Sequence, residues 1–146
     1  MCPILITDVG TTICKSIVFE HDGVSIGKSA QGYITKRPNP LWAQQDPNTW
    51  WQSFKLTSKT ALKKTRTRPN GIDCIGIIGM GHGPVLLNSR GRPIMPCLIW
   101  PDLRATRQAE ELRAKVKDLG IEHSISGRVQ AWYTAAKLLW IRQNYP

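Results

Sequence analysis

Carboxylates are scarce in this 146-residue chain: ten Asp and Glu stand against twenty Lys and Arg, leaving a net charge of +10. A ribonuclease H-like nuclease needs several carboxylates converging on two metals, and only Asp8 is placed for that role, so this chemistry is set aside. Cysteine is sparse as well. Cys2, Cys14, Cys74 and Cys97 are scattered, with no Cys-x-x-Cys pair and no nearby His at zinc-finger spacing. They read as reduced, mostly buried thiols rather than a metal module or a disulfide framework. The longest apolar stretch, around residues 72–80, falls well short of the ~20 residues a membrane-spanning helix needs. No basic segment precedes the first apolar residues, so no secretory signal and a cytoplasmic protein are the expectation. Repeats and low-complexity tracts are absent.

What is present suffices for a core: 41% of the residues are hydrophobic and six are tryptophan, so residues 1–146 are expected to form one folded domain. The basic balance favours an anionic partner, either nucleic acid or a phosphorylated small molecule.

Residues 4–7 and 13–20 are apolar, β-branched runs joined by Asp8-Val9-Gly10-Thr11-Thr12, which predicts two strands around a tight turn. Asp22-Gly23 separates the second run from residues 24–34 and predicts a third antiparallel strand. Asp46-Pro47 is a helix start signal. Behind it Trp50, Trp51, Phe54, Ala61 and Leu62 recur at helical spacing, and Lys55, Lys59 and Lys63 mark another face, predicting aromatics inward and lysines outward. Residues 72–78 read as a central strand buried on both faces, and residues 85–87 and 94–99 as a further extended pair. Asp102 is a candidate cap for a helix bearing Ala105, Ala109, Leu112, Val116 and Leu119, which Gly120 stops. A last helix carries Trp132, Ala135, Ala136, Leu139 and Trp140 and ends at Tyr145-Pro146. This order resembles the half-domain of the α/β, ribonuclease H-like (actin-like ATPase) architecture, a mixed sheet with flanking helices. No strand follows the last helix, so a truncated first domain is expected.

Asp8-x-Gly10-Thr11-Thr12 brings backbone N–H groups and two hydroxyls beside one carboxylate, the combination that phosphate and Mg²⁺ require. Asp8 is the candidate metal ligand, and Lys15 on the next strand is a candidate positive charge. A plain hairpin turn, with Thr11 and Thr12 satisfying only backbone, is the alternative. Gly79-x-Gly81-x-Gly83 is no dinucleotide fingerprint, because no helix opens there and the third glycine is misplaced.

Four segments in order resemble the N-terminal part of the FGGY carbohydrate kinases, and within them the xylulokinases. They are Asp8-Val9-Gly10-Thr11-Thr12 with Lys15; Pro40-Leu41-Trp42-Ala43-Gln44-Gln45-Asp46-Pro47 with Trp50-Trp51; Ile75-Gly76-Ile77 through Gly79-Met80-Gly81-His82-Gly83 and Leu86-Leu87; and Leu98-Ile99-Trp100-Pro101-Asp102-Leu103-Arg104. Lys137-Leu138-Leu139-Trp140 also has a family counterpart. The resemblance implies ATP-dependent phosphorylation of a hydroxyl on a ketose or polyol. Asp8, Gly10, Thr11, Thr12 and Lys15 would face ATP phosphates and Mg²⁺, and Gly81, His82, Asp102 and Arg104 would line the sugar. Asp102 as an N-cap, Arg104 as a surface charge and His82 as a structural imidazole are the bland readings. Gln44, where the family often has Glu, and Gly81 with Pro84 beside the histidine are departures that bear on which sugar is taken.

The resemblance also implies that the catalytic base and the adenosine pocket lie beyond the matched region. No catalytic residue is assigned here, the second, nucleotide-binding domain is expected to be absent, and the chain alone is expected to be inactive. An exposed sheet face or edge would favour a homo-oligomer. The alternative, a basic nucleic-acid-binding module using Lys55, Lys59, Lys63, Lys64, Arg66 and Arg68, is weakened by the expected separation of those charges from the aromatics.

Overall fold

The computed structural model describes residues 3–125 and 129–145. Cys2 and Pro146, for which a buried thiol and a helix end were expected, lie outside the described residues. The chain divides into two compact units, one from the described parts of Met1–Ile34 and Asp46–Met80, the other from Thr35–Gln45 and the described parts of Gly81–Pro146.

The first unit is a four-stranded mixed sheet with one helix on it. Strands β1 (Ile4–Val9), β2 (Ile13–Phe19) and β3 (Ser25–Gly32) are antiparallel, as expected from the two turn signals. Strand β5 (Cys74–Gly79) returns parallel to β1, in the order β3-β2-β1-β5. Helix α1 (Pro47–Lys64) begins where Asp46 and Pro47 predict, with the Asp46 carboxylate accepting from the Asn48 N–H at 2.9 Å. Alternation along β1 and β2 points Leu5, Thr7, Cys14, Ser16 and Val18 inward, and Leu5, Val18 and Ala61 of α1 form the apolar core.

Two expectations are corrected in this unit. Helix α1 turns Ser53, Thr57, Ser58 and Ala61 inward instead of its aromatics, and Trp51 is 58% exposed. The strands opposite present Cys14 and Ser16, and small hydroxyl side chains fit that seam: Ser16 Oγ bonds Thr7 Oγ1 at 2.8 Å and Thr57 Oγ1 at 2.7 Å. Trp51 instead stacks on Phe54 with centroids 5.4 Å apart, and Lys55 Nζ lies 5.6 Å above its ring. Lys55 and Trp51 therefore share a face of α1. Strand β5 is an exposed edge rather than a buried centre, with Ile77 66% exposed. Its one strand neighbour among the described residues is β1, and α1 packs over β1, β2 and β3.

In the second unit, β4 (Gln44–Gln45) pairs antiparallel with β6 (Cys97–Leu98). The extended pair expected around residue 90 reduces to a bridge between Leu87 and Pro93 beside that short β6. Helix α2 (Thr106–Asp118) ends as predicted: Gly120 adopts φ 63°, its N–H donates to the Lys117 carbonyl, and that of Ile121 to Val116. Helix α3 (Thr134–Asn144) packs on α2, and Ala105, Ala109, Val129 and Ala136 form the core between them.

Candidate functional site

The predicted site residues fall in both units, and each group has its own geometry. In the first, Asp8 ends the inward–outward alternation of β1 and sits in register with Lys15 across the antiparallel pair, on the face away from α1. An opposite-charge cross-strand pair of this kind is mildly favourable. At the turn, the Gly10 N–H donates to the Ile13 carbonyl at 3.1 Å, so this amide closes the bend and is not available to a ligand. The Gly10 carbonyl accepts from the Tyr33 hydroxyl, and the Thr12 carbonyl accepts from the Tyr33 N–H. Burial, with the nearby Cys14 thiol and Asp8 carboxylate, pushes the Tyr33 hydroxyl up to about 12. A Cβ on Gly10 would stand 3.1 Å from the Ile13 carbonyl and 3.8 Å from both Asp8 carboxylate oxygens. The carboxylate thus faces the open side of the glycine, with Thr11 half-buried and Thr12 exposed beside it.

In the second unit His82 is exposed, is preceded by an exposed Gly81, and has φ 59°. A left-handed conformation in a non-glycine residue costs on the order of 1–3 kcal/mol and persists only where surroundings enforce it. Here they do. Its ring stacks on Tyr133 (5.1 Å, 20°) and meets Trp132 edge-on (4.8 Å, 85°). A Cβ on Gly83 would fall 2.9 Å from Cys97 Sγ, so only glycine lets the loop approach β6 this closely. Trp100, Pro101, Leu103 and Trp132 line an apolar recess of about 520 Å³.

Asp102 and Arg104 are neither a helix cap nor a surface charge. The N-cap position of α2 belongs to Ala105, and the side chains of Arg104 and Asp102 are 2% and 0% exposed. Arg104 Nη2 and Nε donate to the Asp102 carboxylate at 2.8–3.0 Å, and Asp102 Oδ2 also accepts from the Ala43 N–H at 2.6 Å. The guanidinium lies 3.7 Å from the Trp42 ring centroid and 4.9 Å from that of Trp140, and Nη2 also reaches Gln44 Oε1 at 2.8 Å. A fork-shaped, weakly hydrated cation suits such a slot; a lysine would not fill it.

Lys137 was noted in the sequence only as part of a family-like run, yet it is fully buried and donates to the carbonyls of His82 (2.9 Å) and Ile99 (2.8 Å). Burial lowers its pKa from 10.5 to about 8, against the upward pull of Asp102 and Cys97. Burial likewise pushes the Cys97 thiol up to about 11. In the sequence Lys137 stands off the face marked by Trp132, Ala135, Ala136, Leu139 and Trp140, so spacing did not reveal its burial, which an ammonium tolerates only with acceptors.

Over residues 3–146 the sequence matches the N-terminal domain of the FGGY family of carbohydrate kinases. The chain belongs to that family. It is 31% identical over 140 residues to a xylulose kinase of Escherichia coli (strain K12), covering 95% of this chain and 28% of that protein. It is 28% identical over 142 residues to a glycerol kinase of Petrotoga mobilis, covering 97% of this chain and 28% of that one. Among solved structures, a xylulose kinase from Rhodospirillum rubrum superposes with a TM-score of 0.89 at 25% identity, over 99% of this chain and 30% of that one. The fold of this FGGY domain is therefore the actin-like ATPase one, a mixed sheet with flanking helices, and the chain spans under a third of the length of these relatives. No described helix is long and apolar enough to cross a membrane. The nucleic-acid reading draws no support from these relatives.

Proposed function

We propose that this chain supplies the N-terminal part of an ATP-dependent kinase that phosphorylates a hydroxyl of a ketose or polyol, xylulose-like in class, and that it does not turn over alone. The observation that carries the proposal is family membership with relatives named for xylulose and for glycerol, two polyhydroxylated substrates.

Asp8 would hold Mg²⁺, directly or through water, with Thr11, Thr12 and Lys15 toward the phosphates and Gly10 leaving that side open. Among the described residues no group of three or more His, Cys, Asp or Glu could cage a metal. This donor set fits an ion that takes most of its ligands from phosphate and water, and when bound such an ion neutralises charge on the transferring phosphoryl group. In the second unit, Gly81 and His82 present a backbone and an imidazole to substrate hydroxyls, and Trp100 and Trp132 offer apolar faces to its carbon chain. Asp102 and Arg104, buried against each other, hold Gln44 and the Ala43 amide in the same unit.

The test is ADP release from ATP and Mg²⁺ with xylulose or glycerol, alongside NMR titration of the labelled chain. The expected result is no turnover, with Mg²⁺·ATP shifting Gly10–Thr12 in the native chain and not in Asp8→Asn, and the sugar shifting Gly81 and His82. Turnover of order 1–100 s⁻¹ overturns inactivity alone. Unmoved resonances with both ligands overturn the site assignment.

A further inference from the structure

Lys137 is a buried base with two of its three donors on backbone carbonyls, and nothing above uses it chemically. The two carbonyls it joins belong to separate segments. One is His82, held at φ 59°; the other is Ile99, whose carbonyl also accepts the Asp102 N–H at 2.9 Å and which directly precedes Trp100. Lys137 therefore ties the histidine loop to the turn that carries the tryptophan wall of the recess. Its own N–H donates to the Tyr133 carbonyl, so the helix start that supplies the ammonium also supplies the ring stacked on His82.

We propose that Lys137 is a positioning residue: its ammonium clamps the His82 and Ile99 carbonyls and so sets where the His82 imidazole and the Trp100 turn meet a polyhydroxylated substrate. The proposal rests on the sugar-site reading above. A buried lysine serving stability alone could take any carbonyls within reach. This one takes the carbonyl of the strained, glycine-flanked residue, where release of a single hydrogen bond frees the backbone to leave an unfavourable conformation.

The test compares the native chain with Lys137→Met, which keeps the aliphatic stem and removes the donors. Folding is checked by circular dichroism, and the His82 ring protons are followed by NMR, assigned with His82→Gln. Stacking on Tyr133 and Trp132 displaces those protons from free-imidazole positions. With Lys137→Met folded, most of that displacement is expected to be lost and affinity for xylulose or glycerol to fall about tenfold or more. A folded Lys137→Met with unmoved His82 signals overturns the proposal. If Lys137→Met does not fold, Lys137→Arg keeps the buried charge with a longer fork; shifted His82 signals then support the clamp, and unmoved ones overturn it. The His82 shift is read without ligand, so a native chain that binds neither sugar overturns the substrate reading while the NMR still decides the role of Lys137.

Discussion

In the unit built on β1, β2, β3, β5 and α1, the buried polar groups are neutral hydroxyls: Thr7, Ser16, Thr57 and Ser58 bond one another between sheet and helix. In the unit built on β4, β6, α2 and α3 they include ions, the Asp102–Arg104 pair and the Lys137 ammonium, beside the neutral amides of Gln45 and Gln108. The difference is one of tolerance. Removing the Thr57 hydroxyl leaves Ser16 with Thr7 and Ser58, whereas an ion deprived of its partner remains as uncompensated charge in a poor solvent. The ionic unit is accordingly the one in which backbone placement, at Ala43, His82 and Ile99, depends on single side chains.

The largest effect is expected from Asp102→Ala, which strands Arg104 between Trp42 and Trp140 and leaves the Ala43 N–H without its acceptor. A loss of about 3–5 kcal/mol is expected in urea unfolding. A loss near that of a hydroxyl deletion would erase the contrast between the units. Thr57→Val in the neutral ladder should cost about 1 kcal/mol by the same measurement, since Ser16 keeps Thr7 and Ser58 as partners.

The ionic unit also carries two groups whose titration is linked to folding. The Lys137 pKa is lowered from 10.5 to about 8, so between those values the unfolded chain binds more protons than the folded one and stability rises with pH. Cys97 is raised from 9.0 to about 11, so above pH 9 the unfolded chain has lost a proton that the folded chain keeps, and stability falls. Melting temperature is therefore expected to climb from pH 8 to 9 and then to flatten, and Lys137→Met should lack the climb. A native chain with a flat profile from pH 8 to 9 would break this account.

The smallest effect is expected at the exposed edge strand. Ile77→Lys should change stability by no more than about 0.5 kcal/mol while reducing association at high concentration, read by size-exclusion chromatography. A monomeric native chain at the same concentration removes the edge as a route to self-association.

Features legible in the sequence were those decided within a few residues. Asp46-Pro47 starts α1 because the capping carboxylate and the N–H that donates to it are two positions apart, and Gly120 stops α2 because the left-handed turn is local. Spacing along α1 revealed two faces but not which one meets the sheet, since that depends on what Cys14 and Ser16 present across the seam. The apolar run of β5 suggested burial on both sides, yet burial belongs to the neighbours a strand has, and α1 covers the other strands.

The chemistry on offer can be read along the chain: one carboxylate beside a glycine bend, a glycine-flanked imidazole, and order and spacing sufficient for the FGGY resemblance. That Asp102 and Arg104 are an enclosed pair, and that Lys137 bonds the His82 carbonyl, follows from long-range packing. Their partners lie 59 and 60 positions away for Ala43 and Gln44, and 55 and 38 away for His82 and Ile99. At such separations no local pattern specifies a partner; packing brings it within reach, and the cost of an unpaired ion makes the contact obligatory.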